Sequence, residues 1–224
     1  MRTKSLMGLS WFALFAAIFL AGCGGPEGQT GGGDGSSNGS GAADSGESVE
    51  VAGGEALVWG EGDRGAVLAH GAAYDAASWR EQAERLAGNG VAALAVEDTS
   101  AQSIAEATGY LKEERGVRDV TLIGASAGTS GVLGAAEEDP GLADGVILLS
   151  GTGDVSGLGE YPKLFVASEG EGLAGEVRDM AEEAPGSRND VLILQGDAHA
   201  QAIFETDQGD KLMRVILERL KDNG

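Results

Sequence analysis

The pattern of apolar and polar positions changes abruptly along the chain. Residues 6–21 are apolar or small and carry no charge, and residues 24–47 contain no large apolar side chain. From about Ser48 short apolar runs alternate with amphipathic stretches. Runs at 48–52 and 56–60 flank Gly53-Gly54 and predict a hairpin. Further runs at 65–69, 91–96, 119–123, 145–149, 163–167 and 190–194 predict six strands. Several of these, such as VAALAV at 91–96, are apolar throughout, which predicts burial on both faces. Helical spacing fills the gaps. Trp79, Ala83 and Leu86 share one face of 76–87, and Ile104, Ala107 and Leu111 share one face of 101–114. Helices are also expected at 126–137, at about 173–183 and at 200–220. Strands alternating with helices predict an α/β fold: a mostly parallel sheet with helices on both faces. In such sheets reactive groups collect at the carboxyl ends of the strands.

The first fifty residues carry a different message. Arg2 and Lys4 precede the apolar run, which has the form of a secretory signal. Its 16 residues fall short of the ~20 that a membrane-spanning helix needs. The run ends in Leu20-Ala21-Gly22-Cys23, which resembles the lipobox of bacterial lipoproteins. That resemblance implies a signal peptide over 1–22 and acylation of Cys23 as the mature N-terminus. It implies a protein held by lipid to a bacterial cell membrane, on the extracytoplasmic side. Multiple acyl chains make such an anchor firm. Residues 24–47 include ten glycines and four acids, so they read as a flexible tether ahead of a folded domain at 48–224.

Charge removes several classes of function. The chain has 15 Lys+Arg against 36 Asp+Glu, a net charge of −21. Such a surface repels phosphate backbones, so no nucleic-acid partner is expected. A single cysteine rules out an intrachain disulfide and a multi-thiolate zinc site. No metal-ligand cluster, phosphate loop or dinucleotide fingerprint stands out, so neither metal nor cofactor is expected. The only histidines are His70 and His199, so any mechanism needing an imidazole must use one of them.

Gly124-Ala125-Ser126-Ala127-Gly128 lies between the strand expected at 119–123 and the helix that follows. This is G-x-S-x-G in the strand–turn–helix setting of a nucleophile elbow. The glycines allow a sharp turn, Ser126 is lifted above the sheet, and the Ala127 amide can point at an oxyanion.

With three further segments, the elbow gives the chain a resemblance to the α/β-hydrolase family over roughly 51–220. GAVLAHGAAYDAASW (65–79) is similar to the family's strand ending in His-Gly before the first helix. KLFVASEGEG (163–172) is similar to the strand leading to the acid, and LILQGDAHA (192–200) to the last strand and histidine loop. The resemblance implies that Ser126 is the nucleophile, His199 the base and Glu171 the acid, in the family's chain order. Glu169 and Asp154 are the alternative acids. It also implies that His70-Gly71 shapes the oxyanion loop and that the Ala72 amide is the second donor, beside Ala127. Ala200 stands where the family often has glycine. Only 151–161 separates two of the strands, too little for a cap domain, so an open site is expected. The function so implied is a membrane-tethered serine hydrolase, a carboxylesterase acting on a small-molecule ester. The alternative is a non-catalytic binding or envelope protein on the same fold.

Overall fold

The structure, a computed structural model, describes residues 46–222. The expected signal peptide, Cys23 and all but the end of the tether lie outside the described residues. The first strand begins at Glu47, one residue before the run expected at 48–52, and the Glu47 carboxylate pairs with Arg115 at 2.9 Å.

Strands β1 (Glu47–Val51) and β2 (Gly54–Trp59) form the expected hairpin. Its two loop residues, Ala52 and Gly53, both have positive φ (56° and 74°), as tight hairpin turns require. β2 then lies antiparallel to β4 (Val91–Val96). Every other pairing is parallel, among β3 (Arg64–Ala69), β4, β5 (Asp119–Ala125), β6 (Gly145–Leu149), β7 (Lys163–Ser168) and β8 (Asn189–Leu194). The eight strands run in the order β1-β2-β4-β3-β5-β6-β7-β8.

Alternate residues of each central strand feed two separate cores. In β3, Val67 and Ala69 face one layer while Ala66 and Leu68 face the other. The first layer is covered by α2 (Ala101–Glu113), α3 (Gly128–Glu138) and α4 (Ala174–Glu183). The second is covered by α1 (Arg80–Ala87) and α5 (Gly209–Asp222). Burial on both faces is why these strands carry no polar alternation. Among the described residues, no helix is long and apolar enough to cross a membrane.

Three helices differ from expectation at their starts. The stretch at 76–79 is a 3-10 turn, with the Asp75 carboxylate accepting the Ser78 N–H at 2.9 Å, before α1 proper. α3 begins at Gly128, because Ser126 and Ala127 are taken by the turn. The single helix expected over 200–220 is two pieces, a 3-10 segment at Ala200–Glu205 and α5. Thr206 is extended between them (φ −101°, ψ 175°), and its hydroxyl accepts the Gln208 N–H at 3.1 Å. A polar Thr-Asp-Gln run thus restarts the helix.

Sheet order fixes where a site can form. The chain passes from β3 to β4 on one side, then returns to place β5 on the other side of β3. The crevice at the carboxyl ends of β3 and β5 is therefore the topological switch point, where open α/β sheets hold ligands.

Candidate active site

Ser126 follows β5 with φ of 48°, the left-handed region that non-glycine residues seldom occupy. Surrounding bonds enforce this conformation. The Ser126 N–H donates to Leu149 O at 2.9 Å, and its carbonyl accepts the Thr129 N–H at 3.0 Å. The flanking glycines admit close backbone approach. A Cβ at Gly124 would stand 2.9 Å from Thr129 Cα, and one at Gly128 would stand 2.5 Å from Ala69 O. Strain retained by such over-determined packing is typical of functional turns.

His199 follows β8 and its imidazole bridges two of the candidate residues. Nε2 lies 2.8 Å from Ser126 Oγ, and Nδ1 lies 2.7 Å from Glu171 Oε2. An ionised carboxylate only accepts, so Nδ1 carries the proton and Nε2 is left to accept from the serine hydroxyl. The Glu171 side chain is 4% exposed and that of His199 is 50% exposed. The imidazole is thus reachable while the carboxylate is shielded.

Glu171 is brought to His199 by the β7–β8 pairing, which sets Ser168 opposite Leu194. Beyond the strand ends, Glu169 N–H donates to Leu194 O and Gly170 N–H donates to Gly196 O, each at 2.8 Å. The two alternative acids sit elsewhere. The Glu169 side chain is exposed and does not bond His199. Asp154 accepts the Ser156 N–H and hydroxyl, bonds that hold its carboxyl below the usual carboxylate range.

The loop after β3 approaches the elbow from the other side of the crevice. A Cβ at Gly71 would lie 3.5 Å from Ser126 Cβ and 3.6 Å from Tyr74 Cδ2. Ala72 and Ala127 are exposed, and among the described residues neither N–H is taken by another acceptor. His70 stands between two backbone carbonyls, with Nδ1 2.9 Å from Gly71 O and Nε2 3.1 Å from Glu97 O. It braces the loop and does not reach Ser126.

Three residues with no sequence signal complete the site. Gln201 is buried. Its Oε1 accepts the Gly71 N–H and its Nε2 donates to Ser78 Oγ, both at 2.8 Å. It joins the loop after β3 to the histidine loop. Ser150 and Ser168 surround Glu171: Ser150 Oγ donates to Oε1 at 2.9 Å, and the Ser168 N–H donates to the same oxygen at 2.5 Å. These are ordinary polar residues in a chain rich in them, and no spacing sets them apart. A cavity of about 490 Å³ opens beside the loop, lined by Tyr74, Ser78, Arg80, Gln82, Gln201 and Phe204 among others.

This sheet order, the strained serine turn at the switch point and the histidine after the last strand are those of the α/β-hydrolase fold. The comparisons agree. The monoacylglycerol lipase of Paleococcus ferrophilus superposes with a TM-score of 0.64 at 17% identity, covering 75% of this chain and 98% of that one. Dienelactone hydrolase from Anabaena variabilis gives a TM-score of 0.67 at 20% identity, covering 79% and 96%. A cold-adapted esterase from an Arctic intertidal metagenomic library gives 0.62 at 16% identity, covering 78% and 92%. No family model and no curated protein matches the sequence.

Proposed function

We propose that the chain is a serine hydrolase that cleaves carboxylic esters through an acyl-enzyme. The observation that carries this reading is the unbroken hydrogen-bonded chain Ser126 Oγ–His199–Glu171, at 2.8 and 2.7 Å. Both are within hydrogen-bond reach, and the first is short enough for His199 to take the serine proton. Ser126 Oγ attacks the ester carbonyl as His199 Nε2 takes its proton. Glu171 keeps the imidazole in the reactive tautomer and stabilises the imidazolium. The Ala72 and Ala127 amides bind the oxyanion. His199 then protonates the departing alcohol, and a water attacking the acyl-enzyme repeats the sequence. The three structural neighbours described above, a lipase, a dienelactone hydrolase and an esterase, support hydrolysis of esters as the reaction.

The setting favours small acyl groups. Among the described residues no cap covers the crevice, since only a loop joins β6 to β7. The cavity beside the oxyanion-side loop has room for one arm of a substrate. Its Arg80, Gln82 and Gln201, with the carboxylates of Glu81 and Glu205, suit a polar arm better than a long alkyl chain. The lipobox-like Leu20-Ala21-Gly22-Cys23 supports a lipid-anchored enzyme facing outward from a bacterial membrane. That location is checked by intact mass of the membrane-extracted protein, which should show acylation that Cys23→Ala abolishes.

The deciding experiment for the chemistry is fluorophosphonate labelling of the purified protein, with the modified residue mapped by mass spectrometry. Labelling at Ser126 that disappears in His199→Ala is expected. A folded, unlabelled protein would refute the hydrolase reading and leave the non-catalytic alternative.

A further inference from the structure

The acid in this site is a glutamate, one methylene longer than aspartate and with one more torsion to fix. Its Oε2 bonds His199 Nδ1, so its reach is right only while the carboxylate stays in one orientation. The other oxygen, Oε1, takes two donors: the Ser168 N–H, held on β7, and the Ser150 hydroxyl. Of these only Ser150 is a side chain.

Ser150 is unusual in three respects. It is 3% exposed, immediately after β6. It has φ of 49°, although its N–H is tied to Val166 O at 2.8 Å. That left-handed conformation favours glycine, and a side chain there is strained. Finally, its hydroxyl is used twice. The single proton goes to Glu171, which cannot donate in return, and a lone pair accepts the Ala200 N–H at 2.8 Å. Ala200 directly follows His199 and also has positive φ, 51°. One hydroxyl therefore ties the acid to the backbone that carries the base, from a strand that supplies neither.

We propose that Ser150 is a positioning residue, whose hydroxyl clamps Glu171 Oε1 and the Ala200 N–H so that a glutamate holds His199 in its Nδ1–H tautomer. Ser168 supports the same clamp: its hydroxyl donates to Ala198 O at 2.5 Å, on the other side of His199. The catalytic consequence of the clamp rests on the proposed hydrolase function, whereas its effect on the histidine does not.

Ser150→Gly separates the clamp from simple backbone shape. Glycine relieves the strained φ and removes the whole CH2OH group, hydroxyl included. Ser150→Ala removes the hydroxyl and keeps the strain. Ring nitrogen-15 NMR of His199, recorded above the ordinary histidine titration range, reads the tautomer directly; His199→Gln assigns the signals against His70. The wild type is expected to be predominantly Nδ1–H, and both variants to revert to a tautomer mixture. Ester turnover gives the second readout. In both variants kcat should fall ~10- to ~100-fold with KM changed less than about twofold, as for a misplaced catalytic group. If Ser150→Gly keeps the wild-type tautomer and kcat, the proposal is overturned while the hydrolase reading stands. If the wild type turns over no ester yet shows the Nδ1–H tautomer and loses it in Ser150→Gly, the clamp stands and the hydrolase reading falls. A wild type without Nδ1–H dominance would overturn the clamp outright.

Discussion

Gly128→Ala tests the link between elbow packing and the reactive site. Gly128 is the first residue of α3, and an added Cβ would lie 2.5 Å from Ala69 O and 2.7 Å from both Ala69 C and His70 O. All three are backbone atoms at the end of β3, which is pinned between β4 and β5. No rotamer can relieve the clash. Restoring an ordinary contact near 3.4 Å requires α3 and the β3 end to separate by about 0.9 Å. Overpacking of this kind costs ~1–3 kcal/mol, offset in part by the ~0.8–1.0 kcal/mol by which alanine favours a helix over glycine. The net ~0–2 kcal/mol corresponds to a Tm lowered by as much as ~8 °C for a domain of this size. Activity should suffer more. The same separation moves the Ser126–Ala127 turn away from Ala72, and misplacement near 1 Å costs ~10²-fold in rate. Gly109→Ala is the control. It lies in α2 with nothing within 4 Å of the added Cβ, so Tm should rise by ~2–4 °C with kcat unchanged. Thermal melts with ester kinetics on both variants decide it. Gly128→Ala with wild-type Tm and kcat within about twofold of the parent would refute the steric argument.

Further outcomes follow from the same site. Ser126→Ala and His199→Ala should each lower kcat by several orders of magnitude, and the double variant should be little worse than either, because the members act as a unit. Glu171→Ala should cost less, and steady-state kinetics should find Glu169→Ala and Asp154→Ala near wild type; a larger loss in either would reassign the acid. Gln201→Ala leaves the buried Gly71 N–H without its acceptor, so it should lower stability by ~1–3 kcal/mol in denaturant melts and reduce kcat more than it raises KM. Lys163, 1% exposed, donates to Gly159 O, Tyr161 O and Pro185 O at 2.7–2.9 Å. Lys163→Met orphans Gly159 O and Tyr161 O, while Pro185 O keeps the Asn189 Nδ2 donor at 3.3 Å; at the low end of ~1 kcal/mol each this is ~2 kcal/mol, or ~4–8 °C in Tm. Burial pushes the Lys163 ammonium below the ordinary lysine range, against an opposing pull from Glu160. The unfolded chain therefore binds this proton more tightly, and stability gains a contribution that rises with pH from the lowered value toward ~10.4. Denaturant melts across that range should show the slope in the wild type and its loss in Lys163→Met.

The strands were legible because the central sheet is buried on both faces, and a run such as Val91–Val96 leaves no room for another reading. The elbow was legible for a local reason, since the sterics of one tight turn dictate glycine at 124 and 128. The acid was not legible at that level. Glu171, Glu169 and Asp154 all follow strand ends, and the choice rested on a resemblance. The helix expected over 200–220 hid a break, because Thr206 is extended and its hydroxyl accepts the Gln208 N–H where the helix restarts.

Sequence alone therefore determined what depends on neighbours along the chain: the buried strands, the amphipathic helices, the sharp serine turn and the histidine after the last strand. Tertiary structure decided which polar groups meet. His199 lies 73 residues from Ser126 and 28 from Glu171, and Ser150 lies 50 from Ala200. No periodicity spans such separations. They close because β5, β6, β7 and β8 are parallel neighbours whose carboxyl ends share one edge. A polar side chain at that edge acquires its role from the loops that converge on it.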